Sequence, residues 1–259
     1  MSAAKPWVVI LGASSGFGAA AARAYAKAGH PIFGAHMDRR NTMPAVEALI
    51  EELKGYGVDV LFHNGNAAGD EVRATALDAL TEAMGDNKVG VVLHSLAFGT
   101  LRPFFDDRAI GRKHMEMTLD VMANSVVYWT QDIVKRGLFA DVGRVFAMTS
   151  SGSLFVVKNY GAVSAAKSAL ESHIRQLALE LAPLGITANG IMAGVTHTPA
   201  LDKIPGADRL MAQMRERNPN KRLTTPEDVA QCLLSLSEPG TQWMTGNIIR
   251  VDGGETIAG

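Results

Sequence analysis

Apolar and polar positions divide the chain into two alternating kinds of segment. Short apolar runs, which predict buried strands, are separated by longer segments with helical periodicity. This alternation is typical of an α/β protein with a doubly wound parallel sheet and helices on both faces. Because no linker, repeat or shift in composition interrupts it, a single domain over residues 1–259 is predicted. Seven runs predict a seven-stranded sheet: Val8–Leu11, Ile32–Ala35, Val58–His63, Gly90–Leu93, Arg144–Thr149, Thr187–Ile191 and Ile248–Val251.

Capping residues and glycines predict several helix boundaries. A helix over Ala19–Ala28 should stop at Gly29, and Thr225-Pro226 supply a cap and an N1 proline for another helix. Long amphipathic helices are predicted over residues 113–138 and 161–181. We therefore expect helices to cover both faces of the sheet.

The segment at about 195–225 does not follow this alternation of strands and helices. It carries mixed charges, three prolines and a methionine-rich helical piece, Leu210–Met214. Long excursions from the carboxyl edge of a parallel sheet usually cover ligands. We therefore expect a substrate-covering segment here, with an ordinary surface loop as the alternative.

Composition and charge exclude several classes of protein. The 25 Lys and Arg residues against 26 Asp and Glu give a net charge of -1, which provides no basic field for nucleic acid or an anionic membrane. No apolar run reaches the length of about 18 residues that a membrane-spanning helix needs. The single cysteine, Cys232, allows no internal disulfide and no thiol metal site. We expect a cytoplasmic protein without a metal, a nucleic-acid partner or a membrane span.

A glycine-rich turn follows the first predicted strand and opens the alanine-rich helix. Strand, turn and helix in this order are typical of Rossmann-type dinucleotide binding, because the glycines let the backbone approach a pyrophosphate at the helix N-terminus. The alternative is a tight turn that serves packing only. The predicted cofactor contacts in this turn are Gly12, Ser14, Ser15, Gly16, Phe17 and Gly18.

Two arginines follow the second predicted strand, at the edge where the ribose of the adenosine would lie. Arg39 and Arg40 can pair with a 2′-phosphate, which favours NADPH. The neighbouring Asp38 can instead accept a hydrogen bond from a 2′-hydroxyl, so NADH stays possible. A solvated turn is the third alternative for the arginine pair.

Four motifs carry a resemblance that spans nearly the whole chain: the glycine turn, His94-Ser-Leu-Ala-Phe98, Asn159-Tyr160-Gly-Ala-Val-Ser-Ala-Ala-Lys167 and Val251-Asp-Gly-Gly254. They resemble the short-chain dehydrogenase/reductase superfamily. Within it, the second and third motifs resemble the bacterial enoyl-acyl-carrier-protein reductases, and the segments Tyr160–Leu181 and Asn189–Gly194, with Thr198, resemble their NADPH-dependent branch. The resemblance implies an oxidoreductase of fatty-acid elongation and a homotetramer built from the two long helices. It also implies cofactor contacts at Asn66, Ser95, Leu96, Ala97, Lys167 and Thr198.

The spacing between tyrosine and lysine separates two reductase chemistries. Carbonyl-reducing members of the superfamily carry Tyr-x-x-x-Lys, but here Val163 stands one turn before Lys167 and Tyr160 nearly two turns before it. Met122 stands where those members keep an asparagine of their proton relay. In ketone reduction the proton donor stands beside the carbon that takes the hydride, whereas in an enoyl thioester the charge develops on the more distant thioester oxygen. A phenol that lies further from the lysine therefore suits the reduction of an enoyl thioester.

The catalytic candidates follow from this spacing. We assign Tyr160 as the hydrogen-bond donor to the enolate oxygen, since a phenol with an ordinary pKa of about 10 is protonated at neutral pH. The resemblance implies that Lys167 holds the ribose hydroxyls of the nicotinamide. Ser150 is a further candidate, with the capping of a turn as its alternative role. His94 is expected to position its neighbours, and Val195 departs from the proline often found at its place in the family.

The resemblance implies that the substrate is an acyl thioester linked to acyl carrier protein. Candidates for an acyl channel, with core packing as the alternative, are Leu101, Phe104, Phe105, Phe155, Leu201, Ile204, Leu210 and Met214. Candidates for docking an acidic carrier, with ordinary solvated charges as the alternative, are Arg209, Arg215, Arg217, Lys221 and Arg222. Two rivals to the enoyl reductase stay open: a carbonyl or 3-ketoacyl reductase, and a catalytically silent NADP-binding protein.

Overall fold

The computed structural model describes residues 4–204 and 206–258, so Pro205 of the predicted covering segment lies outside the described residues. The strands form one parallel sheet in the order β3-β2-β1-β4-β5-β6-β7. Each predicted strand overlaps an observed one, and the doubly wound parallel sheet is confirmed. The strands are β1 (Trp7–Leu11), β2 (Ile32–His36), β3 (Val60–Asn64), β4 (Val89–His94), β5 (Phe139–Ser150), β6 (Ile186–Ala193) and β7 (Ile248–Val251).

Helices connect the strands and cover both faces of the sheet. The prediction for residues 161–181 is confirmed at both ends. Thr225 caps the last long helix as predicted, and its cap is a capping box completed by Asp228. The helices are α1 (Gly16–Lys27), α2 (Met43–Lys54), α3 (Asp70–Met84), α4 (Arg112–Leu119), α5 (Ser125–Lys135), α6 (Gly161–Leu181), α7 (Ala207–Arg217) and α8 (Pro226–Leu236). Among the helices of the described ranges, none is long and apolar enough to cross a bilayer.

The long helix predicted over residues 113–138 is present over 112–135, but a π turn over Asp120–Asn124 interrupts its regular hydrogen bonding and divides it into α4 and α5. The Ser125 hydroxyl donates to the Val121 carbonyl at 2.8 Å, and His94 Nε2 lies 2.9 Å from the same hydroxyl. A serine that bonds the carbonyl four residues back competes with the regular helical ladder. His94 is fully buried, and burial lowers its pKa to about 3, so its ring is neutral at neutral pH.

Two apolar layers hold the helices on the sheet. One layer packs α3, α5 and α6 against the sheet around Trp129 and Leu170, and the other packs α1, α2 and α8 around Tyr25 and Leu53. The chain reverses its winding between β1 and β4, which lie side by side in the sheet. A crevice at the carboxyl ends of such a strand pair is the usual ligand site of an open parallel sheet.

Candidate active site

A cleft of about 530 Å³ opens at the carboxyl edge of the sheet, with the glycine turn after β1 on one side and α7 on the other. It brings together residues that are far apart in the chain. The predicted site residues that line it are Gly12, Ser14, Ser15, Gly16, Phe17, Asn66, Ser95, Leu96, Ala97, Ser150, Tyr160, Lys167 and Thr198.

The glycine turn forms a backbone cradle. Gly12 has a φ of 90°, and a Cβ there would lie 2.5 Å from the carbonyl oxygen of Ser95 on the loop after β4. Ser15 precedes α1 in an extended conformation without capping it, and the first turn of α1 has no acidic residue. The first N–H groups of α1 are therefore available to an anion, which the helix dipole also favours.

Three predicted cofactor contacts do not line the cleft. Gly18 is buried beneath the turn, where any side chain would collide with the Gly12 carbonyl, so its role is to let α1 pack closely. Arg39 and Arg40 are exposed after β2 and lie outside the cleft lining. His36, at the end of β2, lines the cleft instead, and only its place at a strand end would have indicated this from the sequence.

Asp38 places an acidic group beside the glycine turn. His36 Nδ1 lies 3.0 Å from its Oδ2. Burial opposes ionisation of Asp38, but hydrogen bonds from Ser14, Thr42 and His36 together outweigh it and hold the pKa of the carboxyl below its usual value. An ionised carboxylate therefore stands at the edge where the sequence predicted a binding site for a phosphate.

Lys167 is a buried cation in the wall of the cleft. It is 5% exposed, and its Nζ donates to the carbonyls of Met148 at 2.7 Å and Leu96 at 3.5 Å, which joins the ends of β5 and β4. Burial lowers the pKa of Lys167 to about 8, and the nearby Glu171 carboxylate partly offsets this effect. Such a group is poised to hold hydroxyls of a ligand and to supply positive potential.

Tyr160 forms a unit with Ser150 and Gly152. A Cβ at Gly152 would lie 2.5 Å from Cε1 of the Tyr160 ring, and the Gly152 N–H donates to Ser150 Oγ at 3.1 Å. Burial raises the pKa of Tyr160, a hydrogen bond with Ser150 partly offsets this, and the phenol is therefore protonated at neutral pH. Ser150 fills its alternative predicted role, because it caps the turn over Ser151–Ser153. Sequence reasoning missed Gly152.

The wall one helical turn before Lys167 is apolar. Val163 and Met122 both line the cleft there. A Cβ at Gly99 would lie 2.6 Å from Val163 Cγ2 and 2.7 Å from Met122 Sδ, so the loop after β4 packs directly on both side chains. Neither side chain can donate a proton, and among the described residues that line the cleft Tyr160, nearly two helical turns before Lys167, carries the only phenol.

Described residues of the segment over 195–225 form one wall of the cleft. Leu210, Met214 and Arg217 line it from α7, at the spacing of one helix face. Two channel candidates are wrong, because Phe104 packs on Gly161 and Phe105 is 93% exposed, and neither lines the cleft. The channel candidates that do line it are Leu101, Phe155, Leu201, Ile204, Leu210 and Met214.

The predicted basic patch is not one free surface. Arg217 Nε donates to the Ala258 carbonyl at 2.8 Å, Lys221 Nζ donates to the Glu216 carbonyl at 2.6 Å, and Arg222 pairs with Asp228. Arg209 and Arg215 are exposed on α7. Across residues 4–204 and 206–258, no three His, Cys, Asp or Glu side chains converge as a metal site requires.

Comparisons with known proteins agree with this geometry. A family model described as enoyl-(acyl carrier protein) reductase matches residues 12–256. The enoyl-[acyl-carrier-protein] reductase [NADPH] FabI of Staphylococcus aureus is 28% identical over 217 residues, which cover 81% of this chain and 80% of that protein. The 1-cyclohexenylcarbonyl-CoA reductase of Streptomyces collinus is 26% identical over 251 residues, which cover 96% of this chain and 86% of that protein.

A solved structure shows the same likeness over the full length. The enoyl-acyl carrier protein reductase of Bacillus cereus, in complex with NADP+ and indole naphthyridinone, superposes with a TM-score of 0.88 at 25% identity, covering 98% of this chain and 97% of that one. The fold is shared more widely, since a 3-oxoacyl-[acyl-carrier protein] reductase of Brucella melitensis superposes with a TM-score of 0.84 at 23% identity, covering 100% of both chains. Because the family model spans residues 12–256, the chain belongs to the enoyl-(acyl carrier protein) reductase family of the short-chain dehydrogenase/reductase superfamily, a family of oxidoreductases.

Proposed function

We propose that the protein reduces the C2–C3 double bond of an enoyl thioester with NADPH, as an enoyl-acyl-carrier-protein reductase of fatty-acid elongation. One observation carries the proposal: Tyr160 offers a phenol at the outer position of the cleft, while the position one turn before Lys167 is apolar at Val163. The proposed unit is a single domain whose 195–225 segment covers the substrate. A carbonyl reductase needs its acid at the inner position, where this cleft has none.

The chain's own residues fit a nicotinamide dinucleotide. The Gly12 cradle and the uncapped start of α1 would receive the pyrophosphate, and the buried Lys167 ammonium would hold ribose hydroxyls. Asn66 would lie against the adenine, and Thr198 would hold the carboxamide. A bound nicotinamide supplies the hydride. Ser95, Leu96 and Ala97 supply the wall against the ribose.

Tyr160 would stabilise the charge that develops on the thioester oxygen. Its phenol keeps its proton because burial raises its pKa, so it can donate a hydrogen bond to that oxygen. Gly152 packs directly against its ring. The Lys167 ammonium adds positive potential to the same end of the cleft, which favours the negatively charged transition state over the neutral substrate.

Removal of the phenol tests its role. We expect Tyr160→Phe to lower kcat for a crotonyl thioester about 100-fold, the usual cost of one lost donor to a developing oxyanion. Tyr56→Phe is the matched control, because that phenol lies on the surface near α2 and contacts Glu52. An unchanged kcat for Tyr160→Phe, with Tyr56→Phe also unchanged, would remove Tyr160 from the mechanism.

A relocated phenol tests the spacing. The double variant Tyr160→Phe/Val163→Tyr places the tyrosine one turn before Lys167, and we expect it to gain activity on an acetoacetyl thioester while activity on the crotonyl thioester stays low. The ratio of the two activities is the readout. A double variant that still prefers the crotonyl thioester would show that the position of the phenol does not choose the reaction.

The preference for NADPH is proposed on the two arginines at the ribose edge. Asp38 opposes it, because its carboxylate would repel a 2′-phosphate. We expect Asp38→Asn to lower the KM for NADPH relative to NADH, and Arg39→Ala/Arg40→Ala to shift the ratio in the opposite direction. If the arginine variant leaves the ratio unchanged, NADPH preference has no basis in these side chains.

Carrier docking is proposed on the outer face of α7, where Arg209 and Arg215 are exposed. These two side chains test docking better than Arg217, which lines the cleft. We expect Arg209→Glu/Arg215→Glu to raise KM for crotonyl-acyl carrier protein and to leave KM for crotonyl-coenzyme A unchanged. Equal effects on both substrates would contradict docking.

The proposed assembly is a homotetramer. The small residues Ala123, Ser125 and Ala166, which belong to the two helices expected to build it, are buried in the chain's own core. Leu179 on the outer face of α6 is exposed, and we propose that this apolar side chain contacts another chain of the tetramer. Light scattering should give the mass of four chains, and a monomer mass would contradict it.

A further inference from the structure

A buried carboxylate at the cleft has no part in the proposed chemistry. Glu255 follows β7, is 3% exposed and lines the cleft. Its two oxygens both accept a hydrogen bond from the backbone N–H of Val195, at 3.1 and 3.2 Å. A proline at position 195 would have no N–H to donate. Glu255 therefore accepts a hydrogen bond from a backbone N–H that a proline at position 195 would lack.

The same stretch of chain holds the end of α7. Residues 252–258, here called the C-terminal brace, accept three hydrogen bonds from the helix end and the residues after it. Arg217 Nε donates to the Ala258 carbonyl at 2.8 Å, and Asn218 Nδ2 donates to the Asp252 carbonyl at 2.9 Å. Asn220 donates in the same way to the carbonyl of Gly253. The brace therefore contacts the covering helix on one side and the chain after β6 on the other.

The packing against the brace is close. A Cβ at Gly194 would lie 3.1 Å from the Asp252 Cα, so residue 194 rests directly on the brace. Burial raises the pKa of Glu255 and the Asp252 carboxylate adds to this, while the Val195 N–H and the Arg217 guanidinium favour the ionised form. A buried carboxyl group is costly unless it is hydrogen-bonded, so the contact with Val195 is what makes Glu255 tolerable at this place.

We infer that Glu255 is a positioning residue of the cofactor site, which fixes the backbone of Val195 and thereby the segment 195–198 against the C-terminal brace. Thr196 and Thr198 of this segment line the cleft. The inference rests on the proposed function, because Thr198 is assigned to the nicotinamide end only there. Glu255 acts through Val195, and no contact of its own with the substrate is required.

Cofactor binding to the full chain, without any acyl substrate, tests the inference. Glu255→Gln keeps an oxygen that accepts the Val195 N–H, whereas Glu255→Met has a similar length and no such acceptor. We expect Glu255→Met to raise the Kd for NADPH about tenfold, and Glu255→Gln to stay within about threefold of the wild type. Ile257→Ala, an exposed residue of the same brace, is the matched control and should leave Kd unchanged. Equal effects of Gln and Met, or no effect of Met, would overturn the inference.

A proline at position 195 supplies the second test. Val195→Pro removes the donor and leaves Glu255 without its partner, so it should destabilise the free protein in urea, as should Glu255→Met. The double variant lacks both groups, and we expect its loss to be smaller than the sum of the two single losses. Additive losses would contradict the contact. This readout needs no cofactor, so it tests the inference independently of the proposed function. Failure of the proposed function would appear instead as a wild type that binds neither NADPH nor NADH.

Discussion

The two ends of the cleft are held in place by different parts of the molecule. At the cofactor end the backbone sets the shape, because Gly12 fits between β1 and the Ser95 carbonyl only without a side chain. At the substrate end, side chains from α7 and from the loop after β5 set the shape, and Phe155 there is half exposed. The turn that carries Gly12 could be recognised from consecutive residues, even though its close partner Ser95 is distant in the chain. The substrate end could not, because its shape depends on which side chains of distant elements meet.

Gly12→Ala should have the largest effect, because it should disrupt the backbone at the cofactor end of the cleft. The left-handed φ costs about 1–2 kcal/mol for an alanine, and the contact with the Ser95 carbonyl adds to it, so we expect a loss of about 2–4 kcal/mol in unfolding free energy. Gly57→Ala is the control, since Gly57 has a φ of 77° but no atom within 4 Å of its would-be Cβ. Urea denaturation measures both. Equal losses would show that backbone strain alone, and not the close approach, matters at Gly12.

Gly152→Ala should have the next largest effect and should act at the substrate end alone. The added Cβ would lie 2.5 Å from the Tyr160 ring and move the phenol, so we expect kcat for a crotonyl thioester to fall about 30-fold with little change in the Kd for NADPH. Gly240→Ala, where nothing lies within 4 Å, is the control. Steady-state kinetics and cofactor titration check both values. A change in Kd as large as that in kcat would show that the two ends of the cleft are not separate.

The pH dependence of cofactor binding should sharpen the assignment of Lys167. Its pKa is lowered to about 8, so the ammonium that is proposed to hold the ribose is lost as the pH rises through that value. We expect the Kd for NADPH to rise about fivefold between about pH 7 and pH 9, because the neutral amine attracts the cofactor less. Lys167→Arg stays charged over this range and should give a weaker but flat profile. A flat profile for the wild type would contradict the role of the ammonium.

The smallest effect should come from the apolar rim. Phe155 lines the cleft, and Phe105 does not, although the sequence offered both as channel residues. We expect Phe155→Ser to raise KM for a long-chain enoyl thioester about threefold, and Phe105→Ser to leave it unchanged. A larger effect of Phe105→Ser would place the acyl chain outside the cleft described above.

The sequence predicted most of what depends on neighbouring residues. The strands, the bounds of α6 and the capping box at Thr225 follow from apolar periodicity and from a cap three residues before its partner. The glycine turn belongs to the same group, because its strand, turn and helix are consecutive. These features were accessible because the interactions that specify them lie within a few residues.

The rest depends on partners that are far apart in the chain. The π turn after α4 involves His94 and Ser125, which are 31 residues apart, and the contact between Val195 and Glu255 spans 60 residues. Periodicity carries no information about such pairs. The exposure of the Arg39 side chain could not be predicted for the same reason. The residue type shows that a guanidinium is present, but its direction depends on the surrounding fold.

Initial rates of NADPH oxidation by the wild type, with crotonyl and acetoacetyl thioesters of one carrier side by side, test the central claim most directly. The outer position of Tyr160 predicts a kcat/KM for the crotonyl thioester at least about tenfold above that for the acetoacetyl thioester. A preference for the acetoacetyl thioester would contradict the account, because Tyr160 would then serve a carbonyl beside the nicotinamide. Tight binding of NADPH with turnover of neither thioester would contradict it as well and would make the chain a silent binder.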